Sequence, residues 1–143
     1  MPILERKIEI NAPVNKVWGV LTDMERCPKW QIDKKEIKKL EPDKYFEKTT
    51  QGDYTFTIMD LVENERIALK TDHPEVTGAS YILNEKGKIT ELSCCIDYKT
   101  IAYEKMIARS LKIKAQTLKK YVEYLEDGGD PDKFDTKLIL AKP

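Results

Sequence analysis

Residues Tyr103 to Asp127 carry the longest uninterrupted helical pattern in the chain, and any fold for this sequence has to give that helix a surface to lie against. Met106, Ile107, Leu111, Ile113, Leu118, Tyr121, Val122, Tyr124 and Leu125 recur at three- and four-residue steps, the period of an amphipathic helix. Arg109, Lys112, Gln116, Lys119, Lys120, Glu123 and Glu126 collect on the opposite side. Lys114 breaks the pattern. It lies near the middle of the apolar arc, one helical step from Ser110, Thr117 and Leu118, so that a polar seam of Ser110, Lys114, Thr117 and Tyr121 runs down the face to be buried. Such a seam points to something other than plain core behind the helix.

At 143 residues the chain fits a single core. Lys plus Arg equals Asp plus Glu at 25 each, so there is no basic field to argue for nucleic acid. No apolar run approaches the roughly 18 residues of a membrane span, and MPILERKIEI is charged within its first six residues rather than signal-like. The expectation is a soluble, cytoplasmic protein without an integral membrane segment. Cys94 and Cys95 are neighbours and Cys27 stands alone, which gives neither a disulfide framework nor a zinc spacing. Reduced, mostly buried thiols are expected, and neither a metal nor another cofactor is called for.

Leu4 to Ile10 alternate as a half-buried strand does, with Leu4, Ile8 and Ile10 on one side and Arg6 among them. Asn11-Ala12-Pro13 stops the strand, and Pro13 suits a helix start because its missing N–H has no partner to lose there. Val14, Val17, Trp18 and Leu21 then form the stripe of a short helix, with a second short turn from Met24 to Lys29. From Ile32 to Lys99 the chain reads as an antiparallel meander. Turn signals such as Glu41-Pro42-Asp43, Gln51-Gly52-Asp53 and Glu85-Lys86-Gly87 separate strands at about Lys34–Leu40, Lys44–Thr50, Tyr54–Val62, Arg66–Thr71, Val76–Leu83 and Lys88–Tyr98. Alternation puts Tyr54, Phe56, Ile58 and Val62 on one face with Asp60, and sets Leu92, Cys94, Ile96 and Tyr98 against Ser93, Cys95 and Asp97. Gly128-Gly129 is a helix stop. Beyond it, Leu138-Ile139-Leu140 favours docking of the C-terminal segment over disorder.

His73 is the sole histidine and precedes Pro74 in a turn, where an exposed position is the ordinary outcome. Without a nucleophile context around it, a hydrolase is rejected. The scattered glycines form no phosphate loop, which argues against nucleotide chemistry. By strand parity Asp60, and less securely Asp97, are the carboxylates leaning inward, with Arg6 as a partner for either.

The stretch IEINAPVNKVWGVLTDMERCPKW, Ile8 to Trp30, resembles the SRPBCC superfamily, the helix-grip fold of START-like and polyketide cyclase/dehydrase-like proteins. The shared marks are Ala12-Pro13, Val17-Trp18, Leu21-Thr22-Asp23 and Pro28-Lys29-Trp30. The resemblance implies an α+β helix-grip fold in residues 1–128: a curved antiparallel sheet of about seven strands wrapped around the long C-terminal helix, with two short helices after the first strand. Residues 129–143 are then a C-terminal tail. It also implies a cavity between sheet and helix for a small hydrophobic molecule such as a lipid, polyketide or quinone. Enzymes of the cyclase/dehydratase type and protein-interaction modules share the fold and stand as alternatives, and the oligomeric state is left open. The candidate lining is Tyr54, Phe56, Ile58, Tyr81, Leu92, Cys94, Ile96 and Tyr98 from strands with Met106, Ser110, Lys114, Thr117 and Tyr121 from the helix. Lys114 has three readings: a snorkelling or strand-paired lysine, an anchor for an acidic ligand, or a catalytic amine.

Overall fold

The computed structural model of the protein describes residues 2–134. Strand β1 (Ile3–Ile10) leads to helix α1 (Val14–Thr22) and a 3-10 turn (Met24–Lys29). Six further strands follow: β2 (Lys34–Glu41), β3 (Lys44–Thr49), β4 (Gly52–Val62), β5 (Arg66–Thr71), β6 (Val76–Lys86) and β7 (Ile89–Tyr98). After a 3-10 turn at Ile101–Tyr103 comes helix α2 (Glu104–Glu126). The strands and helices expected from the sequence are all present, with ends displaced by a few residues.

All seven strands join one antiparallel sheet in the order β1-β7-β6-β5-β4-β3-β2. Strands β1 and β2 are consecutive in the chain yet occupy opposite edges, so the segment between them has to cross the face of the sheet. Helix α1 and the first 3-10 turn make that crossing, burying Val14, Val17, Leu21, Met24 and Cys27. The 3-10 turn packs on β2, whereas α2 lies chiefly along β1. The two helical units therefore rest against opposite edges of one sheet, which is what leaves space between them.

Local chemistry fixes the corners. The Thr90 hydroxyl, fully buried, donates to the Ala12 carbonyl at 2.9 Å, and Pro13 stands at the N-cap of α1 with φ −69°. Asn11 N–H donates to the Glu123 carboxylate at 2.9 Å. Lys119 Nζ reaches both Glu123, at 2.6 Å, and the Glu9 carbonyl, at 2.7 Å, tying α2 to the end of β1. Helix α2 buries Ile107, Leu111, Ala115, Thr117, Leu118, Tyr121 and Val122 at helical spacing. It ends in a Schellman arrangement: Gly128, at φ +88°, donates to Leu125 O and Gly129 to Tyr124 O. The chain then turns at Pro131–Lys133, and Phe134 packs on Tyr121 and Tyr124. The expected docking of Leu138-Ile139-Leu140 lies outside the described residues.

Strand parity fails in β4. A β-bulge between Ile58 and Asp60 adds Met59 and reverses the alternation of β4. Asp60 is thereby set opposite Ala68, in a row that continues through Ser80 and Cys95 on the outer face, and it pairs there with Arg66 Nε at 2.6 Å. Val62 moves outward with it, opposite Arg66. Asp97 shares the outer face with exposed Ile3 and with Gly78, and Arg6 is exposed on the edge strand. Neither carboxylate leans inward, and neither meets Arg6 among the ion pairs of the described residues.

Candidate functional site

Between α2 on one edge of the sheet and the 3-10 turn on the other lies a cavity of about 300 Å³. Its floor is made by buried side chains: Leu21, Met24, Cys27 and Trp30 from the helical crossing, Phe56, Tyr81 and Ile96 from strands, and Ile107 and Thr117 from α2. Ile32, Asp33, Gln51, Met106 and Ser110 are exposed and form its rim. The volume stands at the lower end of the roughly 300–1,000 Å³ usual for small-molecule sites. Native interiors leave few voids larger than a water molecule, so a space of this size is a feature of the fold rather than a packing remainder.

Polar groups interrupt the apolar wall at several points, three of them basic. In the first, Lys34 Nζ on β2 meets Glu47 Oε2 on β3 at 2.8 Å, with side-chain exposures of 18% and 9%, and Asp33 stands farther off at 3.9 Å. At the second, Lys114 Nζ lies 4.8 Å from the centre of the Tyr81 ring, a cation–π distance. Burial holds the Tyr81 phenol well above its ordinary pKa, so its ring faces the lysine as a neutral group. The third is His73. Its Nδ1 accepts the backbone N–H groups of Glu75, at 2.9 Å, and Val76, at 3.0 Å, which leaves the proton on Nε2. Its ring centre lies 4.5 Å from that of Tyr54. Burial first, then the charge of Lys34, lowers its pKa below the usual histidine value.

Two thiols adjoin this floor. Burial pushes Cys27 up to about 12 and Cys94 up to about 11, with the Lys114 charge as the strongest influence in the opposite direction on each. Both are protonated and inert at neutral pH. Among the described residues Trp30 Nε1 is the buried side-chain donor left without a partner, on a ring that lines the cavity. No group of three or more metal-ligating side chains occurs among the described residues.

A family model described as Activator of Hsp90 ATPase homolog 1-like protein, AHSA1, matches residues 11–126. The chain belongs to the AHSA1 family. No curated protein matches it by sequence. Among solved structures, this AHSA1 family member is similar to a START superfamily protein from Mycobacterium smegmatis: 18% identity, TM-score 0.76, covering 86% of this chain and 98% of that one. It is similar as well to the Zhui aromatase/cyclase from Streptomyces, at 15% identity and TM-score 0.74 over 90% of this chain and 99% of that one. The Aha1 dimer from Colwellia psychrerythraea gives 16% identity and TM-score 0.70 over 86% and 97%. At these identities the likeness shows a shared START-like helix-grip fold.

The cavity of this family member gathers most of the lining expected from its sequence. Lys114, Ser110, Thr117, Met106, Tyr54, Phe56, Tyr81 and Ile96 all border it. Thr117 is buried at its floor with its hydroxyl turned to the Lys114 carbonyl at 3.1 Å. Ile58, Leu92, Cys94, Tyr98 and Tyr121 lie outside it. Leu92, Cys94 and Tyr98 are on the inner face of β7 but are packed into the core, where α2 lies over that side of the sheet. Tyr121 sits a turn beyond, behind Trp30, against Phe134. His73, expected on the surface, is half-buried in the cavity wall.

The Lys34–Glu47 pair went unpredicted. Its signal is in β3, where Tyr45, Glu47 and Thr49 alternate with Phe46 and Lys48. Once Tyr45 is set inward, opposite and stacked on Phe56, parity carries Glu47 and Thr49 inward too. On the inner face, where only 9% of its side chain is exposed, Glu47 demands a cation.

Proposed function

We propose that this protein binds a small hydrophobic molecule in the cavity between its sheet and α2. The observation that carries the reading is the cavity of about 300 Å³, apolar over most of its wall and supplied with a few fixed polar groups. That combination is the usual make-up of a small-molecule site: apolar surface for affinity, isolated polar groups for orientation. A lipid, a polyketide or a quinone each has an apolar body of the required kind. The test uses the neutral fluorophore 1-aminoanthracene and the replacement Ala79→Phe, which fills the cavity from β6. The wild type takes up the dye, and Ala79→Phe, with unchanged circular dichroism, does not. Native mass spectrometry of freshly purified protein is expected to reveal a co-purifying apolar molecule. A wild type that takes up no dye overturns the reading.

A second reading, a cyclase or dehydratase acting on a polyketide, draws on one observation: the Lys34–Glu47 pair, His73 and Lys114 border the same space. Such enzymes hold a reactive substrate in one shape beside a few acid/base groups. The fold likeness to an aromatase/cyclase adds support at the level of architecture alone. Turnover of a poly-β-ketone analogue by the wild type, lost on Glu47→Gln, is its test. The family description carries a third reading, a protein-interaction module. The exposed large apolar side chains among the described residues occur on β1, β2, β4 and β6 (Ile3, Leu40, Met59, Leu61 and Ile82) and, as Ile32, Ile101, Tyr103 and Met106, after the first 3-10 turn and around the start of α2.

A further inference from the structure

The charges in the cavity wall do not balance locally. Lys34 is neutralised by Glu47 at 2.8 Å. Glu75, at the rim, spends its carboxylate on the backbone N–H and hydroxyl of Thr100. Lys114 has no counterpart: none of the ion pairs among the described residues includes it. Its ammonium rests on the face of Tyr81, a buried ring that lines the cavity. A ring face is a weak substitute for an anion, because it offers a quadrupole where a carboxylate offers a full charge.

We propose that the cavity selects ligands whose apolar body ends in one carboxylate or comparable oxyanion, and that Lys114, seated on Tyr81, is the group that receives it. This rests on the cavity being a ligand site. A half-buried amine without a carboxylate partner gains most from an anion brought in by the ligand, and the gain is largest where water is excluded. Tyr81 contributes by position, holding the ammonium over the floor rather than letting it swing to the rim. The charge is felt there: after burial, which raises both thiols, Lys114 is the main influence acting on Cys27 and Cys94. Glu47 and Asp33 stand at the Lys34 end of the same wall, so a second negative group on the ligand meets repulsion there. The fitting ligand is therefore a monoanion with a neutral, apolar remainder.

The test compares two molecules of matched shape, 2-naphthoate and 2-naphthamide, as displacers of 1-aminoanthracene near neutral pH. Wild-type protein is expected to bind the acid at least about tenfold more tightly than the amide. Lys114→Met removes that preference, read as the ratio of acid to amide affinities within the variant itself, and Lys114→Arg retains it. Should Lys114→Met not fold, Lys114→Gln takes its place, and the acid-to-amide ratio of the wild type is read in any case. If the dye binds and is excluded by Ala79→Phe, yet acid and amide displace it equally, the role given to Lys114 is overturned while the cavity reading stands. A preference that survives Lys114→Met overturns it as well. If no dye binds, the cavity reading fails and this inference fails with it.

Discussion

The Lys34 ammonium lies 2.8 Å from the Glu47 carboxylate, and the two side chains keep only 18% and 9% of their surface in water. Removing one member of such a pair strands the other charge in a place that no longer solvates it. Glu47→Ala is expected to destabilise the fold by about 3 kcal/mol, the low end of the range for a broken buried pair. The low end applies because Asp33, at 3.9 Å, remains as a weaker partner for Lys34. The double replacement Lys34→Met with Glu47→Leu removes both charges and is expected to cost less than Glu47→Ala alone. Urea unfolding of the three proteins checks this, and a double variant less stable than the single one refutes it.

His73 makes stability depend on pH in a definite direction. Its folded pKa is held below the ordinary histidine value of 6.5, first by burial and then by Lys34, against the opposing pull of Glu47, Glu75 and Asp72. As pH falls, the unfolded chain takes up the imidazole proton before the folded chain does. Stability attributable to this group is therefore complete above about 6.5 and declines as pH falls from there through the lower folded value. Protonation of Nδ1 also forfeits the N–H donors of Glu75 and Val76. His73→Asn keeps a carbonyl acceptor for those donors and removes the titration. Its urea midpoint is expected to change less than that of the wild type between about pH 7.5 and about pH 5.5; equal slopes would sink the assignment.

The sequence carries this fold because its signals repeat at every level. The helical period of Tyr103 to Asp127, the Ala12-Pro13 corner and the turn residues between strands each describe an element locally, and the elements have a single sensible way to cover one another. Half of the site follows from the same periodicity: Lys114 and Thr117 are on the inner face of α2 because 3.6 residues make a turn. What stayed hidden needs information that no single strand holds. The bulge at Met59 is a mismatch between β4 and β5, visible only in their pairing, and it alone turns Asp60 from the cavity to the surface. His73 is in the wall because the backbone of Glu75 and Val76 folds back onto its ring, a turn geometry that the dipeptide His73-Pro74 does not announce.

Gly78 lies at a break in strand register, between Val76 and Gly78 in β6. A β-carbon there would lie 2.9 Å from the Leu69 carbonyl oxygen and 3.0 Å from Asp97 Oδ2. The first of these is backbone of the neighbouring strand and cannot step aside without parting β5 from β6. Gly78→Ala is expected to destabilise by about 1–3 kcal/mol, the usual cost of an overpacked position. Adding Asp97→Ala removes the side-chain contact and leaves the carbonyl in place, so recovery is expected to be partial. Full recovery in thermal unfolding would show that the carboxylate, not the strand, was the obstacle.

The thiols divide by burial, and their reaction rates are expected to divide in the same way. Cys27, at about 12, has a thiolate population of roughly one part in ten thousand near pH 8, and Cys94, at about 11, roughly one in a thousand. Cys95 is also raised by burial, but it is half-buried on the outer face beside Glu5 and stays within reach of a reagent. Native protein treated with an aromatic disulfide reagent is expected to give one fast thiol, abolished by Cys95→Ser, and two slow ones that appear as the protein opens. Because Cys27 borders the cavity and Cys95 does not, saturation with 1-aminoanthracene is expected to slow Cys27 further and leave Cys95 unchanged. Mass-spectrometric mapping of the labelled sites decides the matter: fast modification of Cys27 in the native state would contradict both its burial and the closed floor that it helps to form.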